Sequence, residues 1–105
     1  TVQAEENVLE IGTGSGYLTA CFARLGREVL SLEIHADLAD AAAARLEAEG
    51  AGNARVVVAD ALAWDTDLRF DAICIGAAVT ELPARVLQWL RPGGRLFAVR
   101  GRAPA

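Results

Sequence analysis

The chain has 105 residues, 53% of them hydrophobic and 23% charged, with a net charge of −4 at pH 7. That length sets the expectation of one domain over residues 1–105, and the acidic balance argues against a protein held mainly by nucleic-acid phosphates or anionic lipid. All ten cations are arginines, which excludes a lysine-dependent phosphate loop and Schiff-base chemistry, and two cysteines with one histidine cannot make an ordinary structural zinc site.

The first predicted element is a strand over Asn7–Ile11, where Val8, Leu9 and Ile11 form an apolar, β-prone run. It leads into Gly12-Thr13-Gly14-Ser15-Gly16-Tyr17, whose three alternate glycines let the main chain turn sharply and approach a ligand without Cβ clashes. A helix is predicted over Ser15–Leu25, ended by Gly26, and a strand over Glu28–Glu33. The alanine-rich Ala36–Glu49 reads as the second helix, ended by Gly50 and Gly52, and Ala54–Ala59 as the third strand. Leu62–Leu68 fits either a short helical turn or a loop. Phe70–Ile75 is the fourth strand. Leu82, Val86, Leu87 and Leu90 recur on one face at helical spacing and predict a helix over Glu81–Leu90, terminated by Pro92-Gly93-Gly94. Arg95–Val99 is the fifth strand, and the tail Gly101–Ala105 is expected to be loose.

Strands that alternate with helices point to the α/β class with a parallel sheet. Right-handed crossovers place the strands in the order 3-2-1-4-5, with helices on both faces, in a Rossmann-like arrangement. The order reverses between strands 1 and 4, and ligands of open α/β sheets bind at the strand ends beside such a reversal. Glu10–Tyr17 and Gly76–Val79 meet there.

Glu33 ends the second strand seventeen positions after Gly16, close to the spacing of a carboxylate that accepts ribose hydroxyls. Asp60, at the end of the third strand, can accept from an adenine amino group or cap the following turn. A dinucleotide fingerprint would carry its third glycine at the position of Tyr17, and a carboxylate at Glu10 would repel a pyrophosphate while attracting an ammonium or sulfonium. A cationic nucleoside such as S-adenosylmethionine is therefore favoured over a nicotinamide dinucleotide. Cys21 and Cys74 read as reduced core thiols, His35 as a surface residue at a helix entry, and Trp64 and Trp89 as core or rim anchors. Asp65, Asp67 and Asp71 read as a solvated acidic loop. No apolar run reaches the ~18 residues of a membrane span, and Thr1–Glu6 lacks the order of a secretory signal, so a cytoplasmic chain with no membrane partner is expected.

Glu10–Tyr17, Glu33, Phe70-Asp71 with Gly76-Ala77-Ala78, Glu81-Leu82-Pro83, and Leu90-Arg91-Pro92-Gly93-Gly94-Arg95-Leu96 together resemble the successive motifs of class I S-adenosylmethionine-dependent methyltransferases. They are most similar to the protein-L-isoaspartate O-methyltransferase group. The resemblance implies that Glu10 and the loop Gly12, Thr13, Gly14, Ser15 and Gly16, with Tyr17 and Gly76 beside it, hold the methionine portion of the cofactor. It assigns Glu33 with Ile34 to the ribose and Asp60 with Ala61 to the adenine. It also implies a protein or peptide substrate carrying isoaspartate, protein repair as the role, and no nucleic-acid partner. No side chain is assigned as an acid or base and no metal is implied.

Three departures from the family pattern stand out. Ala59 and Ala61 flank Asp60 where the family has glycines, and Leu18 replaces a common polar residue. These 105 residues are also expected to be without the N-terminal segment that closes over the acceptor and the usual last two strands. Strand 5 would then present Leu96, Phe97 and Val99 on an open edge, which predicts a homodimer through that edge or a chain trimmed from a longer one. The alternatives to isoaspartyl methyl transfer are a methyltransferase for another small acceptor and a cofactor-binding module without activity.

Overall fold

The computed structural model describes residues 2–99; the tail over 101–105 lies outside them. Five parallel strands, β1 (Asn7–Ile11), β2 (Glu28–Glu33), β3 (Ala54–Val58), β4 (Phe70–Ile75) and β5 (Leu90–Ala98), form one sheet in the order β3-β2-β1-β4-β5. Helix α1 (Tyr17–Leu25) joins β1 to β2, α2 (Ala36–Ala48) joins β2 to β3, and a 3₁₀ helix over Ala84–Trp89 precedes β5. The expected strand order and class are those observed.

The sheet is buried on both faces, which is why its central strands read as almost unbroken apolar runs. Val8 packs with Val29, Ala72, Cys74 and the Phe22 and Ala23 side chains of α1. Its neighbours Leu9 and Ile11 point the other way, into a cluster with Leu32, Ile73, Val86 and Trp89. In α2 the buried residues Ala39, Ala42 and Leu46 fall at helical spacing and form its inward stripe. Among the described residues no helix is long and apolar enough to cross a membrane.

Helix α2 and strand β3 each end one residue before their expected bounds, and three other elements differ further from the sequence-based expectation. Helix α1 starts at Tyr17 rather than Ser15, because Gly16 takes a left-handed conformation (φ 84°) that an α-helix cannot include. The predicted α-helix over Glu81–Leu90 is a 3₁₀ segment that begins only after Pro83, held extended at ψ 148° with no N–H to donate. A period of three turns Val86 and Trp89 inward and leaves Leu87 63% exposed, so Leu82, Val86, Leu87 and Leu90 do not share a buried face. Pro92-Gly93-Gly94, expected to end that helix, instead lies within the span of β5 as an irregularity. Phe70 pairs with Leu90 and Ala72 with Arg95, so two steps along β4 are matched by five along β5.

Strand β5 is one edge of the described sheet, as expected, but the apolar residues at this edge are not all displayed there. Phe97 and Val99 pack against the cluster beneath α1, with Phe97 edge-on to Phe22 at 6.1 Å between ring centroids. Leu96 is 40% exposed. The segment over 62–68 leaves a hydrogen-bonded turn that follows Asp60 and then runs on as a loop, and the acidic cluster around it is partly employed. Asp65 Oδ1 accepts the Trp89 indole N–H at 2.9 Å, and Asp71 Oδ2 accepts the Asn7 backbone N–H at 2.8 Å. Arg85 adds three bonds from its guanidinium, two to the Trp64 carbonyl and one to that of Leu62, and so ties the loop to the 3₁₀ segment.

Candidate functional site

The strand after which the order reverses, β1, ends in a loop stitched to both neighbours. Gly12 donates its N–H to the Leu32 carbonyl of β2 at 2.8 Å, and Gly76, just past β4, donates to the Ile11 carbonyl at 2.7 Å. Gly12, Gly14 and Gly16 all have positive φ, a conformation that L side chains adopt only at a cost. Gly76 is required for a different reason: a Cβ there would meet the Gly12 carbonyl oxygen at 2.6 Å and that of Ile11 at 3.0 Å. Gly16 allows close packing, since a Cβ would stand 3.1 Å from the Ala42 Cβ of α2.

These loops border a cavity of about 620 Å³ at the carboxyl ends of the strands, within the range usual for small-molecule sites. Every site residue named from the sequence lines it except Gly16, which faces α2 instead. Val79, expected at this crevice, lines it too, and its walls also include Leu18, Leu38 and Thr80, which the sequence reading did not single out as ligand contacts. Trp64 and Trp89 are absent from its lining and stack edge to face in the core, 5.0 Å between centroids.

Glu33 is buried and bridges two elements. Its Oε1 accepts the Gly14 N–H and its Oε2 the His35 N–H, both at 3.1 Å. An ionised carboxylate offers about four lone-pair positions, so two remain for hydroxyl donors from the cavity. Asp60 is exposed, and its Oδ1 accepts the Leu62 N–H at 2.9 Å; it caps the following turn while lining the cavity wall.

Glu10 is only 1% exposed, so it forms the floor of the cavity rather than an open anionic wall. Ser31 donates to its Oε1 at 2.7 Å, and Thr19 donates to the same oxygen. Burial pushes the Glu10 carboxyl up from its ordinary value, the two hydroxyl donors pull it down, and the charge of Glu33 pushes it up again. Thr19 and Ser31 escaped the sequence reading, although the signal was available. Ser31 interrupts the apolar run Val29-Leu30-Ser31-Leu32, and parallel pairing puts it opposite Glu10. Cys74, beside Glu10 on β4, is fully buried, and burial raises its thiol to about 12, which leaves it unreactive.

The charge of the lining is one-sided. Glu10, Glu33, Asp60 and Glu81 line the cavity, and among the described residues that do so none is an arginine. A pyrophosphate would find no cationic partner there, whereas a cationic nucleoside would find several carboxylates. The space above Gly14 is open, since a Cβ there would meet nothing within 4 Å, and Ile34, Leu38 and Leu62 give the cavity an apolar rim.

Comparison with known proteins agrees with this geometry. The family model described as protein-L-isoaspartate(D-aspartate) O-methyltransferase matches residues 1–102. Protein-L-isoaspartate O-methyltransferase 1 of Anaeromyxobacter sp. is 46% identical over 101 residues, covering 94% of this chain and 48% of that protein. A solved protein-L-isoaspartate O-methyltransferase superposes with a TM-score of 0.79 at 29% identity, over 90% of this chain and 31% of the other. A S-adenosylmethionine-dependent methyltransferase of Thiobacillus denitrificans, solved in complex with S-adenosyl-L-homocysteine, superposes with a TM-score of 0.78 at 25% identity, covering 90% of this chain and 42% of that one. The chain spans somewhat under half the length of the curated relatives it matches. With its parallel sheet, its glycine loop and a family match that runs through nearly every residue, the chain belongs to the protein-L-isoaspartate(D-aspartate) O-methyltransferase family.

Proposed function

We propose that the cavity binds S-adenosylmethionine and that the protein methylates the carboxylate of isoaspartyl residues in damaged proteins. The observation that carries this reading is the acid-lined cavity at the glycine loop, with no arginine among its described lining residues and with Glu33 fastened to that loop. When bound, the cofactor supplies a methyl on a sulfonium, which passes to a carboxylate oxygen as the carbon–sulfur bond breaks and its electron pair stays on sulfur.

The chain's own groups bind and orient. The loop from Gly12 to Ser15, with Tyr17 and Gly76, flanks the methionine portion; Glu33 with Ile34 receives the ribose hydroxyls; Asp60 with Ala61 borders the adenine. A carboxylate acceptor is already ionised at neutral pH, so the reaction asks no side chain to remove a proton, and alignment of the two reactants is the main contribution. The two free thiols, Cys21 and Cys74, fit a reducing compartment, which favours a cytoplasmic setting.

Calorimetric titration with S-adenosylmethionine and with NAD, followed by transfer of labelled methyl to an isoaspartyl peptide and its aspartyl twin, tests the reading. Binding of the sulfonium compound alone and label on the isoaspartyl peptide alone are the expected results; NAD binding, or label on neither peptide, overturns it. Glu33→Gln removes the charge and sets an amide N–H against one of two backbone donors. It is expected to weaken S-adenosylmethionine binding at least tenfold in the same titration, about 1.4 kcal/mol.

A further inference from the structure

A chain of four buried polar side chains runs from the cavity lining into the core, and two of them, Ser31 and Thr19, have no part in the proposed reaction. The Thr13 and Ser31 hydroxyl oxygens lie 2.5 Å apart, Ser31 donates to Glu10 Oε1 at 2.7 Å, and Thr19 donates to that same oxygen. A serine hydroxyl has one hydrogen, and Ser31 gives it to Glu10, so the bond between Thr13 and Ser31 must carry the Thr13 hydrogen. All donors therefore point toward Glu10, from the glycine loop, from β2 and from α1. Glu10 and Thr13 line the cavity; Ser31 and Thr19 do not.

We propose that Ser31 and Thr19 are positioning residues which, acting through Glu10 and Thr13, keep the buried carboxylate ionised and tie its orientation to the glycine loop, so that two residues outside the cavity set its affinity for a cationic ligand. The inference rests on the reading of the cavity as a S-adenosylmethionine site.

Three features of the arrangement support it. Among the described residues Glu10 is bonded to no cation, and its neighbours across the sheet, Ser31 on β2 and Cys74 on β4, bring a hydroxyl and a neutral thiol. From α1 it receives the Thr19 hydroxyl, and the charged group that acts on it is Glu33, of like sign. Burial and Glu33 thus favour the neutral acid, and the two hydroxyl donors are what favour the charge. Loss of either donor is expected to move the balance toward the proton, and loss of Ser31 also frees the Thr13 hydroxyl to turn away.

The test reads ionisation directly. In the ligand-free protein, the carboxyl carbon of Glu10 is followed by NMR across pH in the unaltered chain, Thr19→Val, Ser31→Ala and Thr19→Ser, with Glu10→Gln to assign the signal. The midpoint is expected to rise by about one pH unit in Thr19→Val and in Ser31→Ala, and to return to the unaltered value in Thr19→Ser. The replaced residues lie in different elements, so either apolar variant suffices should the other fail to fold. Titration with S-adenosylmethionine is then expected to weaken as pH falls, with its inflection displaced upward in both apolar variants. An unmoved midpoint, or a loss of affinity equal at every pH, overturns the inference and leaves the cofactor assignment standing. Absence of binding by the unaltered chain removes the cofactor assignment, and with it the inference.

Discussion

At the scale of single residues, the site depends on what is missing at Gly76 as much as on what is present at Glu33. Gly76 allows the loop after β4 to lie against the carbonyls of Ile11 and Gly12, and a methyl group there would press on backbone that cannot swing aside. Gly76→Ala is expected to destabilise the protein by about 1–3 kcal/mol, the usual cost of overpacking, read as a lower urea midpoint with an unchanged slope. Gly14→Ala offers a contrast, because its Cβ would meet only open space and its penalty is confined to the left-handed backbone. The residues that carry chemistry were legible to different degrees. Glu33 and the glycines announce themselves by spacing. Thr19 and Ser31 do not, because a hydroxyl in a helix or strand looks the same in sequence whether it faces water or a buried carboxylate; the register across β1 and β2 places Ser31, and only the packing of α1 on the sheet places Thr19.

At the scale of elements, the strands that are buried on both faces were the easiest to read. β1, β2 and β4 have the boundaries expected from their apolar runs, since a break in hydrophobicity there coincides with the end of pairing. The region from Pro83 to Arg95 was misread because two punctuation signals act differently in context. Pro83 delays the turn and tightens it, and Pro92-Gly93-Gly94 is absorbed as a bulge instead of standing outside the strand. The tighter turn has a measurable signature. Trp89, 1% exposed and bonded to Asp65, is expected to cost about 3–5 kcal/mol when replaced by alanine. Leu87→Ala, on the outward side, is expected to cost less than about 0.5 kcal/mol. Equal losses in thermal or urea unfolding would mean that the segment turns with the α-helical period instead.

At the scale of the whole molecule, the two ends of the described chain are joined by charge. Arg95 of β5 grips both carboxylate oxygens of Glu6 at 2.9 and 3.0 Å, across 89 positions of sequence, and Glu6 also accepts the Gln3 N–H. The bond to Arg95, followed by that from Gln3, holds the Glu6 carboxyl down at about 2 against an ordinary value of 4.5. A lowered value means that the folded state prefers the charged form, so the contribution is full above about pH 4.5 and disappears as pH falls through about 2. The stability gap between the unaltered chain and Glu6→Gln is therefore expected to close across that window and to narrow in high salt, as exposed pairs do. A gap that stays constant in acid would assign the effect to packing. Glu10 acts in the opposite sense, since its raised value makes protonation favour the folded state.

Arg85 has a consequence for how the cavity meets its guest. One guanidinium spans the carbonyls of Leu62 and Trp64, and Leu62 continues the wall that Asp60 and Ala61 begin. A stretch with no helix of its own is thereby ordered in advance, and association spends little conformational entropy on that side. Amide exchange over residues 62–64 should accordingly be slowed to nearly the same degree with and without an occupant, while a lysine at position 85, a single point charge on a supple stem, would let the wall breathe.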